Sequence, residues 1–176
     1  LDQQEEIRLL QQNDRKAQKV FYDRLSPVMF GVCRRYLQNE QDAEDVMING
    51  FFKAFSKIKQ FSGEGNVNGW LRKIMVNESL MFLRKYNMNL SVELSEELAP
   101  SISDTDQNIH QEDILKLLDL LPVGYRTVFN LYAIEGFSHK EIAEKLQISV
   151  NTSKSQLIKA RRKLQQMLDQ EGHRVA

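Results

Sequence analysis

From Tyr86 to Asp113 the chain carries no lysine or arginine and seven acidic residues: Glu93, Glu96, Glu97, Asp104, Asp106, Glu112 and Asp113. Over Met88 to Asn108 isolated leucines are scattered among Ser, Glu, Asp, Asn and Thr, and Pro100 sits in the middle. Neither the helical nor the strand hydrophobic period persists there. Such a segment holds no core of its own, so the sequence on either side must bury its apolar surface separately. At up to ~3.3–3.6 Å per residue the segment can hold its ends several tens of ångströms apart. The expected organisation is two domains, residues 1–87 and 112–176, joined by an acidic flexible linker over 88–111.

The overall charge conceals this division. The chain has 24 basic and 24 acidic residues, yet residues 1–85 carry 14 basic against 11 acidic and residues 114–176 carry 10 against six. Two basic blocks flanking an acidic one suggest contacts with a polyanion; for either block alone, a mixed solvated surface is the alternative. With 41% hydrophobic residues, 176 residues suffice for buried cores without staples. Eight glycines and three prolines are too few for an all-β chain, and the expected fold class is all-α. One cysteine, Cys33, forms no internal disulfide, and three scattered histidines build no metal cluster with it, so neither metal nor cofactor is expected. No apolar run approaches the ~18 residues of a membrane span. The first residues lack a secretory leader, so a cytoplasmic location without membrane insertion is expected. The chain opens on Leu1, not Met, which suggests a trimmed N-terminus.

In the first block Ile7, Leu9 and Leu10 mark a short helix, and Asp14 is positioned to cap a second. That second helix carries Val20, Phe21, Leu25, Val28, Met29, Val32, Cys33 and Tyr36 on one apolar stripe, with a kink expected near Ser26 ahead of Pro27. A third helix, about Gln41 to Ile58, opens with Asp42, Glu44 and Asp45, either as charges suited to a helix N-terminus or as a partner-facing acidic patch. A glycine-rich stretch from Lys57 to Gly69 follows, with an entry of Lys59, Phe61 and Ser62 and with Asn66 and Asn68 beyond. Loops of this kind connect helices, and they also cradle extruded bases. A fourth helix from Asn68 or Gly69 to Tyr86 carries Arg72, Lys73, Asn77, Arg84 and Lys85, and its Trp70 can pack in the core or stack on a base.

In the second block Ile114 to Leu121 forms an apolar helix stopped by Pro122, and the next helix runs to Gly136 as a C-terminal cap. Ser138–His139–Lys140–Glu141 is a capping box ahead of Ile142, Ala143 and Leu146, with His139 expected in solvent. After the turn Gln147–Ile148–Ser149 a long helix buries Val150, Leu157, Ala160, Leu164 and Met167. Helix, short turn and second helix is the helix-turn-helix plan. The outer face of the last helix offers Asn151, Thr152, Lys154, Ser155, Gln156, Lys159, Arg161, Arg162 and Lys163: amides and donors near the N-terminus, cations beyond, as major-groove recognition requires. A solvated basic helix in a protein-binding bundle is the alternative.

Several runs of residues, in order, resemble the extracytoplasmic-function (ECF) sigma factors. They are Asp42–Val46, Phe51–Phe55, Gly69–Asn77, Phe82–Lys85, Leu121–Pro122, Arg126–Phe129, Glu135–Ala143, Thr152–Leu157 and Lys159–Leu164. The resemblance implies a promoter-recognition subunit without catalytic chemistry of its own. Residues Asp42, Glu44, Asp45, Asn49, Phe52 and Lys53 would dock on the clamp helices of the largest subunit of core RNA polymerase. Lys59, Phe61, Ser62, Asn66, Asn68, Trp70, Arg72, Lys73, Asn77 and Arg84 would hold the melted −10 element, with a base extruded into the loop. Residues Asn151, Thr152, Lys154, Ser155, Gln156, Lys159, Arg161 and Arg162 would read the −35 element while the domain rests on the flap of the second-largest subunit. The acidic linker would thread the polymerase channel as an RNA mimic, and an anti-sigma factor is an expected partner. Gln147 stands where the family often has glycine, so backbone strain is expected in the turn.

Two other readings compete. A sigma-like decoy would capture an anti-sigma factor without touching DNA, but it has no need of Lys154, Lys159, Arg161 and Arg162. A helix-turn-helix repressor would require a dimer interface or effector domain that no segment supplies. An enzyme is not expected, because no Ser/His/Asp set, P-loop or metal spacing occurs.

Overall fold

The computed structural model describes residues 2–63, 65–86 and 111–173, the side chains of 111–114 and 170–173 excepted. The expected linker lies, apart from its last residue, outside the described residues. The chain divides into two compact units, Leu1–Tyr86 and Asn87–Ala176. Every regular element among the described residues is helical.

The first unit comprises α1 (Gln3–Gln11), α2 (Arg15–Arg34), α3 (Glu40–Lys57), a 3₁₀ turn (Ile58–Gln60) and α4 (Val67–Lys85). Short polar side chains start three of these helices by accepting otherwise unpartnered N–H groups. Asp14 takes the Ala17 amide at 2.8 Å, Asn39 that of Asp42 at 3.1 Å and Asn66 that of Asn68 at 2.8 Å. The caps move two boundaries from their expected places: α3 begins at Glu40, and α4 at Val67 rather than at Asn68 or Gly69. The glycine-rich connection is therefore only residues 61–66, with its two described glycines, Gly63 and Gly65, left-handed at φ 81° and 87°.

The core of this unit is almost wholly apolar. Phe21, Met29 and Val32 of α2 meet Val46, Phe51 and Ala54 of α3 and Leu71, Met75 and Leu83 of α4, all buried. Each large side chain so buried contributes roughly 1.5–3 kcal/mol. A methyl group at Gly50 would stand 2.4 Å from Met75 Sδ, so α3 and α4 approach at a position with no room for a side chain. Two positions leave the expected stripe: Val20 and Val28 are 54% and 56% exposed, because α2 is covered along one side only. The helix continues through Pro27 without interruption. Cys33 packs in the core, where burial pushes its thiol pKa up to about 11 and makes it inert. Arg24 joins α2 to α1 by donating to both Glu6 oxygens at 2.7 Å.

The second unit comprises α5 (Gln111–Asp119), α6 (Val123–Phe129), a π-turn (Asn130–Ile134), α7 (His139–Leu146) and α8 (Val150–His173). Pro122 caps α6 from outside, and the expected single helix up to Gly136 instead loosens into the π-turn after Phe129. Gly136, left-handed at φ 78°, ends it. Leu117, Leu118, Leu121, Tyr125, Ala160 and Met167 form an apolar cluster. Polar residues are buried in this unit as well: Arg126, Thr127, Asn130, Ser153 and Gln156.

Candidate nucleic-acid interface

The turn between α7 and α8 is built from both sides. Ser138 and Glu141 make the expected reciprocal cap, the Ser138 amide donating to Glu141 Oε2 at 2.8 Å and the Glu141 amide to Ser138 Oγ at 3.3 Å. The Ser138 amide and then the Ser138 hydroxyl, which also donates to Oε2 at 2.8 Å, hold the Glu141 carboxyl below its ordinary pKa. Gln147 closes α7 in the left-handed region, φ 56° and ψ 43°. Its amide and that of Ile148 both donate to Ala143 O, the bonding of a glycine-type helix end made by a residue that resists it. Ser149 Oγ then accepts the Thr152 amide at 2.9 Å and starts α8.

Along α8 the expected contact residues divide by exposure. Asn151, Lys154, Arg161 and Arg162 are exposed, and Thr152, Ser155 and Lys159 are half-buried. The hydroxyls of Thr152 and Ser155 already serve the helix, one 2.8 Å from Ser149 Oγ and the other donating to Thr152 O at 3.0 Å. Gln156 is corrected: at 1% exposure it lies in the core of the unit, not on the outer face. Two residues along the helix from both Lys154 and Ile158, it lies about 200° around the axis from each, on the buried side of α8. Val150, expected inside, is 38% exposed, and Ile158, absent from the expected set, is 58% exposed between Lys154 and Arg161/Arg162. Val150 was assigned inward because it keeps the apolar period of the helix, whereas Ile158 falls off that period and was assigned to neither face.

His139 is also corrected. It is half-buried, stacked on Tyr132 at 4.6 Å and 23°, with Nδ1 2.9 Å from the buried Ser153 Oγ. Burial first, then the cations Lys154 and Arg161, lower its pKa from the ordinary value.

In the first unit α1 clamps the glycine loop. Gln3 donates to Gly65 O at 2.9 Å, and Gln11 to the carbonyls of Ile58 and Phe61, both at 3.3 Å. Of the residues expected at the −10 element, Lys59, Ser62 and Asn66 are exposed around the loop. Phe61 is buried and packs on half-buried Trp70 at 5.4 Å, so the Trp70 ring serves first as core. The Asn66 side chain caps α4, and Asn68 Oδ1 is a buried acceptor with no partner among the described residues. Lys73, Asn77 and Arg84 are exposed and follow one another at near four-residue intervals through Met81, 51% exposed, while Arg72 is half-buried.

On α3 a third surface gathers Glu44, Asp45, Asn49 and Phe52, the last 76% exposed, with Asp42 half-buried. Ile48, 44% exposed, belongs to the same face and was not anticipated. Lys53 stands apart, its Nζ committed to Glu78 of α4 at 2.5 Å. Ile48 and Phe52 thus form an exposed apolar pair beside the acids Glu44 and Asp45.

A tight, capped helix pair that presents exposed cations and an amide at the start of its second helix defines the class: a helix-turn-helix DNA-binding protein. Comparison with known proteins narrows it. Residues 21–88 match the family model for sigma-70 region 2, and residues 111–164 that for sigma-70 region 4. The ECF RNA polymerase sigma-E factor of Haemophilus influenzae is 27% identical, covering 88% of this chain and 89% of the relative. The ECF RNA polymerase sigma factor SigW of Bacillus subtilis is 28% identical over 92% and 94%. Among solved structures, the sigma factor RpoE of Bartonella quintana, in complex with the anti-sigma factor NepR, matches with a TM-score of 0.53 and 25% identity over 86% of this chain and 98% of that one. CnrH, in complex with the cytosolic domain of CnrY, shares the fold at a TM-score of 0.52 and 22% identity over 94% and 96%. The chain belongs to the ECF sigma factors and is an RNA polymerase sigma factor.

Proposed function

We propose that the sigma factor divides its work among three surfaces. The α3 face of Glu44, Asp45, Ile48, Asn49 and Phe52, with Asp42 at its edge, docks on the clamp helices of core polymerase. The clamped glycine loop and the α4 stripe of Lys73, Asn77 and Arg84 hold the melted −10 element, and Asn68 Oδ1 gains a donor when a base enters the loop. The start of α8 enters the major groove of the −35 element, with Asn151 at base edges, Ile158 against a thymine methyl, and Lys154, Arg161 and Arg162 on phosphates. Gln156 supports the helix from inside, and Lys53 holds α3 to α4. The acidic linker over 88–111 lets residues 1–87 and 112–176 reach elements that lie far apart on the promoter.

One observation carries this reading. The exposed residues of α8 run from an amide through a lysine and an isoleucine to paired arginines, directly after a rigid capped turn. An anti-sigma partner is proposed as well, since the Bartonella quintana relative was solved with the anti-sigma factor NepR, and exposed Ile48 and Phe52 offer an apolar seat for one. The proposed site of action is the cytoplasm; among the described residues no helix is long and apolar enough to cross a membrane.

Run-off transcription with core polymerase over a library of genomic start sites tests the reading. Initiation that depends on this subunit is expected, and reversing Glu44 and Asp45 to lysine should remove both polymerase binding and initiation. Specific, tight promoter binding by the free protein, with no gain from core polymerase, would favour a repressor.

A further inference from the structure

His139 sits where three elements of the second unit meet, and only one of its ring nitrogens is used. Nδ1 is 2.9 Å from Ser153 Oγ on α8, and Ser153 is fully buried. Tyr132 of the π-turn stacks on the ring, and the Arg161 guanidinium lies over Tyr132 at 5.7 Å from its centroid. The ring is therefore fixed in orientation by a stack and a hydrogen bond. Nε2 remains for a partner from outside, since the described residues supply none.

The charges around the ring are cationic. Lys154 and Arg161 of α8, both exposed, act on it directly. On its own helix Lys140 is exposed and Glu141 is committed to the Ser138 cap. The π-turn faces the ring with neutral Tyr132 and ends before Glu135. An imidazole held beside two cations with one free nitrogen suits an anion with several acceptor oxygens.

We propose that His139, Lys154 and Arg161 form a proton-linked phosphate site, so that engaging the DNA backbone takes up one proton at His139. The inference rests on the reading that α8 faces DNA. In the free protein, burial and the two cations disfavour the imidazolium. A phosphate placed among them reverses the local field and favours it. The second proton costs the fixed geometry nothing: when the ring is neutral Ser153 can donate to Nδ1, and when it is charged Nδ1–H donates to the serine oxygen. Nε2–H faces the phosphate in both states.

The sign follows from linkage. The His139 pKa is higher in the complex than in the free chain, so affinity rises as pH falls through the complex value and levels off below the free value. That free value is itself below the ordinary histidine value. Each unit of pKa rise makes the acid complex about tenfold tighter than the alkaline one. A backbone contact carries no sequence information, so the promoter need not be known.

The test uses the full-length protein and a short mixed-sequence DNA duplex at low ionic strength, with affinity measured by fluorescence anisotropy from about pH 5.5 to 8. The expected result is several-fold tightening at acid pH that His139→Gln largely abolishes, together with an upfield-to-downfield shift of the His139 ring titration to higher pH by NMR when duplex is added. The substitution assigns the His139 resonances, and the NMR titration of the wild type stands even if the variant is unstable. Equal pH dependence in wild type and His139→Gln, or a His139 titration unmoved by duplex, overturns the phosphate site while leaving α8 on DNA. Duplex binding at low ionic strength that Lys154→Ala and Arg161→Ala both leave unaltered overturns the DNA-facing reading and the site with it.

Discussion

The two units solve the same packing problem with different materials. The first is held by apolar side chains, including rings of Phe21, Phe51 and Phe55 within 6.4 Å of one another, and its buried polar residues are few. The second buries Arg126, Thr127, Asn130, Ser153 and Gln156 beside a smaller apolar cluster. A buried polar side chain that finds its partner adds direction to packing, and Ser153, 2.9 Å from His139 Nδ1, ties α8 to α7 in this way. The difference matches the tasks proposed for them. A reading helix must present Asn151 within ångströms of base edges, while the docking face of α3 needs area more than exact register.

The largest expected effect breaks the first unit. Phe21→Ala removes a ring that is 1% exposed and touches both Phe51 and Phe55, and should cost about 3–5 kcal/mol by chemical denaturation. The second unit should be unaffected, readable as an unshifted transition of its own. A single shared transition, or a loss under 1 kcal/mol by the order of magnitude for surface sites, would mean that the rings do not carry the fold as described.

A pair of substitutions on α8 sharpens the contrast. Gln156→Ala should lower the stability of the second unit by about 1–3 kcal/mol, because truncating a side chain that is 1% exposed leaves a cavity in the interior. Lys154→Ala with Lys159→Ala should leave stability within about 0.5 kcal/mol. The double variant should weaken promoter-specific transcription and lower the salt slope of DNA binding by about 1–2 while polymerase assembly persists. Equal stability losses for the two would put Gln156 back on the surface.

Much of this was legible beforehand. Capping residues such as Asp14, Ser138 and Ser149 announce helix starts by their own chemistry, and the division at the acidic stretch follows from where hydrophobic periodicity stops. What stayed hidden depends on the neighbours. Val20 and Val28 keep the period of a buried stripe, yet α2 has no partner on that side. Gln156 has the chemistry of a base reader and faces inward. His139 looks like a solvated first-turn residue until Tyr132 and Ser153 are brought to it from elements seven and fourteen positions away. Lys53 carries no sign in the sequence that Glu78 will hold it. Phe52 was assigned outward from the resemblance, and Ile48 was missed because an exposed isoleucine contradicts the pattern that assigns isoleucine to cores.

A smaller effect tests the cap that aims α8. Ser138→Ala removes the hydroxyl that accepts the Glu141 amide and donates to Glu141 Oε2, while the backbone amide at 138 still donates to that carboxylate, and should lower the stability of the second unit by about 1 kcal/mol, leaving the first unchanged. The loss should depend on pH. The Glu141 carboxyl has a lower pKa in the folded chain than in the unfolded one, because the Ser138 amide and hydroxyl favour its charged form. Its contribution is therefore present above the unfolded carboxyl value and disappears as pH falls through the folded value. The gap between wild type and variant should narrow in acid, where the hydroxyl-to-carboxylate bond loses its charge, and keep the part that comes from the Glu141 amide on Ser138 Oγ; a gap that does not change with pH would leave the carboxylate no part in the cap.

The smallest effect runs the other way, and it decides whether the second unit is tuned for stability or for aim. Gln147 adopts φ 56° and closes α7 with two hydrogen bonds to Ala143 O, a conformation that costs a side-chain-bearing residue about 1 kcal/mol relative to glycine. Gln147→Gly relieves that strain but frees the unfolded chain, so a net gain of roughly 0.5 kcal/mol is expected by thermal denaturation. Transcription at −35-dependent promoters should hold steady or fall, since the turn that orients α8 gains backbone freedom. A gain in both stability and transcription would show that the left-handed glutamine contributes nothing to aim. Destabilisation would mean instead that the Gln147 side chain makes a contact worth more than its strain.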